Sequence, residues 1–239
     1  MSVAWKTEPG LVRTTNEDKI LIDAERGIFL LADGLGGHNA GEIASDLAVN
    51  EAYAFILREM IRAVEEQAIL GIMEEALCCA HRAIQAKAST DMNLRGMGTT
   101  LVELYIQGSH AYVCHAGDSR AYLFRNVLER ITRDHTVGDA YVEQGSMERG
   151  MVPPRLWHIL TQAVGTGNCP VPDKKVIDLA RSDILLMCSD GLTDMLTDDE
   201  IQDIVISQRN ALETMVETLA RDANIKGGKD NISVIAIGP

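Results

Sequence analysis

The chain has 239 residues, of which 46% are hydrophobic, and its formal net charge is −13. This acidic excess argues against nucleic acid and acidic membrane surfaces as partners. No stretch approaches the ~18 consecutive apolar residues of a membrane span, and the N-terminus MSVAWKTEPG lacks the basic and then apolar order of a signal peptide. We therefore expect a cytoplasmic protein without a membrane partner.

The first predicted elements are two strands and two helices. Lys19 to Asp23 and Gly27 to Asp33 are apolar runs of strand length, joined by the turn-like segment Ala24-Glu25-Arg26-Gly27. Apolar residues then recur at helical spacing from Ala44 to Met60 and from Ile69 to Ile84. These stripes predict two amphipathic helices that pack against the strands.

A second group of strands follows in the segments TTLVELYIQ, SHAYVCHAG, SRAYLFR and VLERIT, with turn signals at Gln107-Gly108 and Arg125-Asn126. Residues 135–167 show no clear periodicity, which is typical of a functional loop, and we expect them to be more mobile than the sheets. Strands are predicted around VIDLA, DILLMCSD and NISVIAIG. Between the last two, helices should cover roughly Asp198–Ser207 and Ala211–Ala223.

The order of these elements favours the α+β class. No repeat, low-complexity tract or linker divides the sequence, so we expect one domain over residues 1–239, with 135–167 as a flap subregion. Tight turns between consecutive strands imply antiparallel sheets. Two central antiparallel sheets stacked face to face, each flanked by a helix pair, would bury every apolar stripe. We therefore predict a four-layer α-β-β-α sandwich.

The glycine-rich stretch LADGLGGHNAGEIAS follows an apolar strand and opens a helix, where phosphate-binding loops occur. Its glycines fit G-x-x-x-x-G, but Glu42 and Ile43 stand where such a loop has Lys and Ser or Thr. The dinucleotide pattern G-x-G-x-x-G fails at Asn39. Asp33 heads the loop, and its carboxylate would repel a phosphate. A P-loop nucleotide binder is therefore disfavoured.

Acidic residues recur at the ends of the apolar runs, namely Glu17-Asp18, Asp33, Asp118, Asp190 and Asp230. One Asp-Gly pair indicates a turn, but five sites that converge would be costly without bound cations. The histidines and cysteines show no metal-binding spacing, so the ligands would be oxygens, which select Mg²⁺ or Mn²⁺ over Zn²⁺. Glycine at position 34 would let a backbone carbonyl approach the metal. The acidic loop would thus bind a cation, and the cation would bind phosphate.

Arg13 lies four residues before Glu17 and offers a planar positive group that suits phosphate oxygens. An isolated arginine beside two acids is usually a surface ion pair. Next to a metal cluster, we interpret Arg13 as a ligand of the substrate phosphate.

Six blocks in order, spanning nearly the whole chain, carry a resemblance to a known family: GLVRTTNED, LADGLGGHNAGEIAS, GMGTTLV, HAGDSRAYL, CSDGLTD and GGKDNISVI. The chain resembles the type 2C metal-dependent serine/threonine protein phosphatases (the PPM family), particularly the compact bacterial members. The resemblance implies an α-β-β-α sandwich. It also implies hydrolysis of phosphoserine and phosphothreonine in proteins by a metal-activated water, without a phosphoenzyme, on substrates supplied by a Ser/Thr kinase.

The resemblance further implies roles for individual residues. Two Mn²⁺ or Mg²⁺ ions would be surrounded by Glu17, Asp18, Asp33, Asp190 and Asp230, with the carbonyl of Gly34. The catalytic residues would be Arg13, which binds phosphate, Asp33 and Asp190. Asp118 with Asp190 would hold a third, weaker ion, Asn231 would orient the site, and residues 135–167 would form the flap beside it.

Two departures from the family pattern stand out. Leu35 occupies the place where many eukaryotic relatives have a histidine proposed as general acid. Leucine cannot donate a proton, so the residue pattern does not identify the group that protonates the leaving group. Glu8 replaces a common aspartate that is not a metal ligand. We expect His38 and His135 to be structural hydrogen-bonding residues and Cys188 to be a core residue. The alternative function is a catalytically silent relative that binds phosphoproteins or a regulatory partner.

Overall fold

The computed structural model describes residues 1–35, 40–60 and 65–238, which form two antiparallel sheets with helices outside them. The strands are β1 (Ser2–Glu8), β2 (Asp18–Asp23), β3 (Ile28–Leu35), β4 (Gly98–Thr99), β5 (Leu101–Gln107), β6 (His110–Ala116), β7 (Arg120–Phe124), β8 (Leu128–Arg130), β9 (Asp173–Asp178), β10 (Ile184–Cys188) and β11 (Ile232–Gly238). The helices are α1 (Ala40–Glu59), α2 (Glu66–Ala88), α3 (Val137–Glu143), α4 (Asp190–Thr193), α5 (Asp198–Gln208) and α6 (Leu212–Ile225).

The two sheets differ in strand order. Sheet I has the order β1-β11-β10-β7-β8, and sheet II has the order β2-β3-β5-β6-β9 with β4 paired to β3. Among the described helices, none is both long and apolar enough to cross a membrane.

Alternating side chains along the strands join the layers. In β3, Phe29 and Leu31 face the core between the sheets, where Leu185 of β10 also lies. Leu30, between them, faces the core under α1 and α2. Because successive strand residues point to opposite faces, a strand buried on both sides reads as a continuous apolar run. A third core lies between sheet I and the pair α5 and α6. The predicted α-β-β-α sandwich is therefore confirmed.

Most predicted elements appear within a few residues of their expected bounds. Gly108 supplies the left-handed turn between β5 and β6, with a φ of 61°. Strand β1 is absent from the predicted elements because only Ala4 in it is buried, so it carries no clear alternation. Residues 135–167 contain a helix that the sequence pattern did not predict, α3, whose first turn is capped by the Thr136 side chain; their mobility stays a prediction.

Glu103, the third residue of β5, is a buried carboxyl group outside the acidic residues predicted to bind metal. It is fully buried in β5, and neither carboxyl oxygen has a hydrogen-bond partner among the described residues. Its cross-strand neighbour Cys114 offers only a weak thiol donor. Burial raises the pKa of Glu103 well above its ordinary value. The folded protein therefore keeps this carboxyl protonated at pH values where the unfolded chain ionises it.

We expect Glu103→Met to stabilise the protein by about 1–3 kcal/mol where the carboxyl is protonated in both states, and by more at neutral pH, because it removes an unsatisfied polar group from an apolar core. The gain should be smallest below pH ~4, where the unfolded chain is also protonated. It should grow by up to about 1.4 kcal/mol per pH unit until the folded pKa is reached. Urea unfolding across this range measures the free energy of unfolding. The exposed Glu25→Met is the control, and a gain independent of pH would contradict the buried-carboxyl explanation.

Candidate active site

The predicted acidic residues lie at one end of the sandwich because of where their strands begin and end. Asp18 begins β2 and pairs across the sheet with Asp33 of β3. Asp190 is the first residue of α4, two residues after β10 ends, and Asp230 comes two residues before β11. Asp118 lies in the turn between β6 and β7. Non-local strand pairing thus gathers residues that are far apart in the chain.

Five carboxylates form the acid cluster: Asp18, Asp33, Asp118, Asp190 and Asp230. Burial, reinforced by mutual repulsion, dominates the electrostatics of the first four. Burial, followed by the charges of Asp18 and Asp190, raises the pKa of Asp33 well above its ordinary value. Burial also raises the pKa of Asp190, with contributions from the charges of Asp194 and Asp230. Such a group holds protons unless a cation neutralises it. The same charge density attracts a divalent ion.

Asp18 shows the clearest fit to a cation. Its side chain is buried, and its Oδ2 accepts a hydrogen bond from Ser189 Oγ at 2.7 Å. Ser189 Oγ in turn accepts from the backbone N–H of Ser233 at 3.0 Å. The other oxygen, Oδ1, is buried and has no hydrogen-bond partner among the described residues. A buried, unpaired carboxylate oxygen is costly, and a bound ion would satisfy it.

Glycines 34 and 41 allow the strand and helix to pack closely beside these acids. The N–H of Gly34 donates to the Glu17 carbonyl at 3.2 Å. A Cβ at Gly34 would overlap the Gly41 and Glu17 carbonyls, and one at Gly41 would overlap the Glu17 carboxylate. The structure therefore adds a steric requirement to the predicted approach of the Gly34 backbone to a metal. The remainder of the glycine-rich loop, residues 36–39 with His38, lies outside the described residues.

Arg13 is held at the rim of the acid cluster. Its guanidinium donates to Asp230 Oδ2 at 2.7 Å, and its side chain is 52% exposed. The charge of Asp230 is the main reason that the pKa of Arg13 is raised. Arg13 is thus charged, oriented by a carboxylate, and open to an incoming anion.

Asn231 ties the Arg13 segment to the site. Its Nδ2 donates to the Thr15 carbonyl at 2.8 Å and to the Pro9 carbonyl at 3.2 Å. Its Oδ1 accepts from the backbone N–H of Glu17 at 2.8 Å. These contacts fit the predicted orienting role, because one buried side chain positions both the Arg13 loop and Glu17.

A cleft of about 390 Å³ adjoins the cluster, lined by Asp118, Arg120, Asp134, Arg149, Trp157, His158, Asp190, Thr193 and Asp194. Arg149, Trp157 and His158 belong to the predicted flap. Arg120 donates to Asp134 at 2.7 Å, an ion pair that holds the wall of the cleft. Arg149, Trp157 and His158 thus share a cleft with Asp118 and Asp190, whereas a flap role for residues 135–167 stays a prediction.

Three residues at the site lacked a sequence assignment. Ser189 fixes Asp18, and the carboxylate of Asp194 lies 3.6 Å from His158 Nδ1. Ligand atoms of His158, Asp190 and Asp194 all lie within 4.8 Å of one another. The His158 imidazole is therefore a candidate nitrogen ligand next to the predicted oxygen ligands. The spacing of four residues from Asp190 to Asp194 was a usable signal, since it places both on one helical face. No local signal identifies His158.

The remaining expectations concern residues outside the metal cluster. His135 accepts a hydrogen bond from the Gly117 N–H at 3.2 Å and stacks on His115 with ring centroids 4.7 Å apart, contacts that fit the expected structural role. Cys188 is fully buried, and burial raises its pKa to about 12, which excludes it as a nucleophile. Glu8 accepts a hydrogen bond from Asn224.

Comparisons with known proteins agree with this geometry. The family model described as Protein phosphatase 2C matches residues 12–227. A serine/threonine phosphatase stp of Listeria monocytogenes is 34% identical over 243 residues, covering 99% of this chain and 95% of that protein.

Solved structures give the same result. The serine/threonine phosphatase PstP/Ppp of Mycobacterium tuberculosis has a TM-score of 0.87 and 31% identity, covering 98% of this chain and 97% of its own. The catalytic domain of PstP in complex with two manganese ions has a TM-score of 0.83 and 30% identity, covering 98% and 96%. The chain therefore belongs to the protein phosphatase 2C family.

Proposed function

We propose that this chain hydrolyses phosphoserine and phosphothreonine in proteins, with divalent cations held by the acid cluster. One observation carries the proposal: the carboxylates of Asp18, Asp33 and Asp190 converge at one end of the sandwich, where Asp18 Oδ1 has no partner among the described residues. Arg13 lies at the rim, ready to receive an anion. A cluster that would repel phosphate without cations becomes a phosphate site with them.

Two Mn²⁺ or Mg²⁺ ions would be held by Glu17, Asp18, Asp33, Asp190 and Asp230, with the carbonyl of Gly34. A third, weaker ion would be held by Asp118 and Asp190. The two manganese ions in complex with the PstP catalytic domain support this number and kind of ion. When bound, such ions supply a water nucleophile at neutral pH and offset the charge of the phosphoryl oxygens.

The protein itself orients the substrate and the ligands. The Arg13 fork would bind two phosphoryl oxygens while Asp230 restrains its position. Ser189 fixes the Asp18 carboxylate, and Asn231 fixes the backbone between Arg13 and Glu17. No covalent phosphoenzyme is needed, and the buried thiol of Cys188 could not form one.

The substrates would be phosphorylated proteins, and a Ser/Thr kinase would supply them. We further propose that residues 1–239 act as one catalytic domain, in which residues 135–167 form a flap that selects substrates. A cytoplasmic location stays a prediction. The alternative of a catalytically silent binding protein is not favoured, because a binding protein has no need to keep the complete acid set.

The function is tested by hydrolysis of p-nitrophenyl phosphate and of a phosphothreonine peptide with Mn²⁺ present. We expect turnover that EDTA abolishes and added Mn²⁺ restores. The buried-thiol variant Cys188→Ala is the matched control and should retain most of the activity, which separates this mechanism from cysteine chemistry. Phosphopeptide binding without hydrolysis would support the silent relative, and turnover that survives EDTA would contradict a metal-dependent mechanism.

A further inference from the structure

A second groove, of about 680 Å³, lies at the opposite end of the sandwich from the acid cluster. Strand β10 shows the separation, since Ile184 at its beginning lines the groove and Asp190 follows its other end. The walls are the end of β7, the loop before β10, the turn from α5 to α6, and the ends of β1 and β11. They comprise Ser2, Phe124, Arg125, Asn126, Arg181, Ser182, Asp183, Ile184, Ile206, Arg209, Asn210, Leu212 and Gly238.

The groove is basic although the whole chain has a net charge of −13. Arg125, Arg181 and Arg209 line it, and Asp183 is the one acidic residue among its described lining residues. The carboxylate of Asp183 is buried and accepts two hydrogen bonds from Arg125, at 2.9 and 2.7 Å. These two opposite charges cancel each other. The net positive charge of the groove therefore comes from Arg181 and Arg209.

Arg181 and Arg209 are available to a partner. Both are exposed, and neither makes a side-chain hydrogen bond or an ion pair within the described part of the chain. Between them the groove offers apolar surface, because Ile206 is 47% exposed and Leu212 is half-buried. A guanidinium binds carboxylates through paired hydrogen bonds, and an adjacent apolar side chain adds buried area.

We propose that this groove docks an acidic segment of a protein substrate, with carboxylates on Arg181 and Arg209 and an apolar side chain against Ile206. The proposal rests on the proposed phosphatase function, because it assigns to the substrate a second contact remote from the phosphorylated residue. Charge complementarity favours an acidic segment in this groove, because the rest of the acidic chain repels such a segment whereas Arg181 and Arg209 attract it.

The position of the groove limits which substrates can use it. Ile184 and Asp190 are six residues apart, and an extended chain advances about 3.3 Å per residue, so the two sites are separated by roughly 20 Å. A substrate chain that follows the surface needs at least about six extended residues between its acidic segment and its phosphorylated residue. Linkage of the two contacts raises the local concentration of the phosphorylated residue and lowers KM.

Direct binding is the first test. The probe is a fluorescein-labelled peptide with six Asp and Glu residues around one Leu, and its binding to the full chain is measured by fluorescence anisotropy. We expect Arg181→Glu with Arg209→Glu to weaken binding at least about tenfold, since two attractive contacts become repulsive. The control is Lys87→Glu with Arg95→Glu, which changes the net charge equally at two exposed positions beside sheet II. It should change the affinity less than about twofold.

Kinetics provide the second test. A phosphothreonine peptide joined to the acidic segment by a Gly/Ser linker of about twelve residues, long enough for the separation of the sites, is compared with the same peptide without acidic residues. We expect a lower KM for the acidic peptide with the wild-type protein. This advantage should disappear in the Arg181→Glu, Arg209→Glu variant, while kcat and turnover of p-nitrophenyl phosphate stay unchanged.

Three results would overturn the proposal: no binding of the acidic peptide, equal weakening in both double variants, or wild-type dimers that dissociate only in the Arg181→Glu, Arg209→Glu variant. The last result would assign the groove to a second copy of this chain. Peptide binding that behaves as expected in a protein without Mn²⁺-dependent turnover would instead overturn the proposed function. The two failures are therefore distinguishable.

Discussion

Asp33→Asn should lower kcat about a thousandfold or more, which corresponds to about 4 kcal/mol of transition-state stabilisation. The amide has nearly the shape of the carboxylate but no charge, so it should weaken the binding of divalent cations by the acid cluster. Because Asp33 is buried and is repelled by Asp18 and Asp190, the variant should also unfold at a higher temperature without metal. Steady-state rates at saturating Mn²⁺ and thermal unfolding in EDTA measure the two effects.

The control for this variant is Asp203→Asn at an exposed position on α5. It removes the same charge outside the cluster and should leave kcat unchanged. Wild-type turnover in Asp33→Asn would show that the acid cluster is not the catalytic site. A loss of kcat accompanied by a lower unfolding temperature would instead indicate that Asp33 maintains the fold.

Arg13→Ala should raise KM for a phosphopeptide about tenfold to a hundredfold, because a charged hydrogen bond contributes about 1.5–3 kcal/mol. The effect on kcat should be smaller, since the acid cluster keeps its cations. Inhibition by inorganic phosphate should weaken by a similar factor, and Arg13→Lys should recover part of the affinity because it keeps the charge without the planar fork.

The matched control is Arg26→Ala, which also breaks an exposed Arg–Asp pair, with an Nη1–Oδ2 distance of 2.8 Å to Asp23. This pair lies in the turn between β2 and β3, at the other end of those strands from Asp18 and Asp33. In the Arg26→Ala variant, KM for the phosphopeptide should stay at the wild-type value. If Arg13→Ala also leaves KM and phosphate inhibition unchanged, Arg13 is a surface ion pair rather than a phosphate ligand.

The architecture was predictable because its main signals are local. Apolar runs of strand length and helical stripes are visible in single segments, and tight turns such as Gln107-Gly108 fix antiparallel neighbours. Strand β1 was not predicted from the sequence because its pairing partner β11 lies at the other end of the chain. Its pairing depends on backbone hydrogen bonds rather than on an apolar pattern of its own.

The acid cluster was predictable in composition but not in arrangement. Aspartates at strand ends stand out in the sequence, whereas the pairing of Asp18 with Asp33 depends on the register of β2 and β3. Ser189 carries no signal, since a serine before an Asp-Gly pair reads as part of a turn. His158 reaches the cleft from residues 135–167, where no periodicity indicates which side chains point inward.

The burial of Glu103 could not be predicted from the sequence of its strand. Its strand was predicted correctly, yet nothing in the segment TTLVELYIQ indicates that a carboxyl group lies under α1 and α2 without a partner among the described residues. Alternation shows which residues share a face of a strand. It does not show that both faces of β5 are covered, because that depends on the stacking of the whole sandwich.

The most direct measurement is anomalous scattering from crystals soaked in Mn²⁺, which counts bound ions and names the oxygens around them. Two strong manganese peaks should lie among Asp18, Asp33, Asp190 and Asp230, one of them within bonding distance of the Gly34 carbonyl. Arg13 should stay within reach of an anion at those peaks. Crystals that diffract well but show these carboxylates without manganese, or with manganese only elsewhere, would contradict the account.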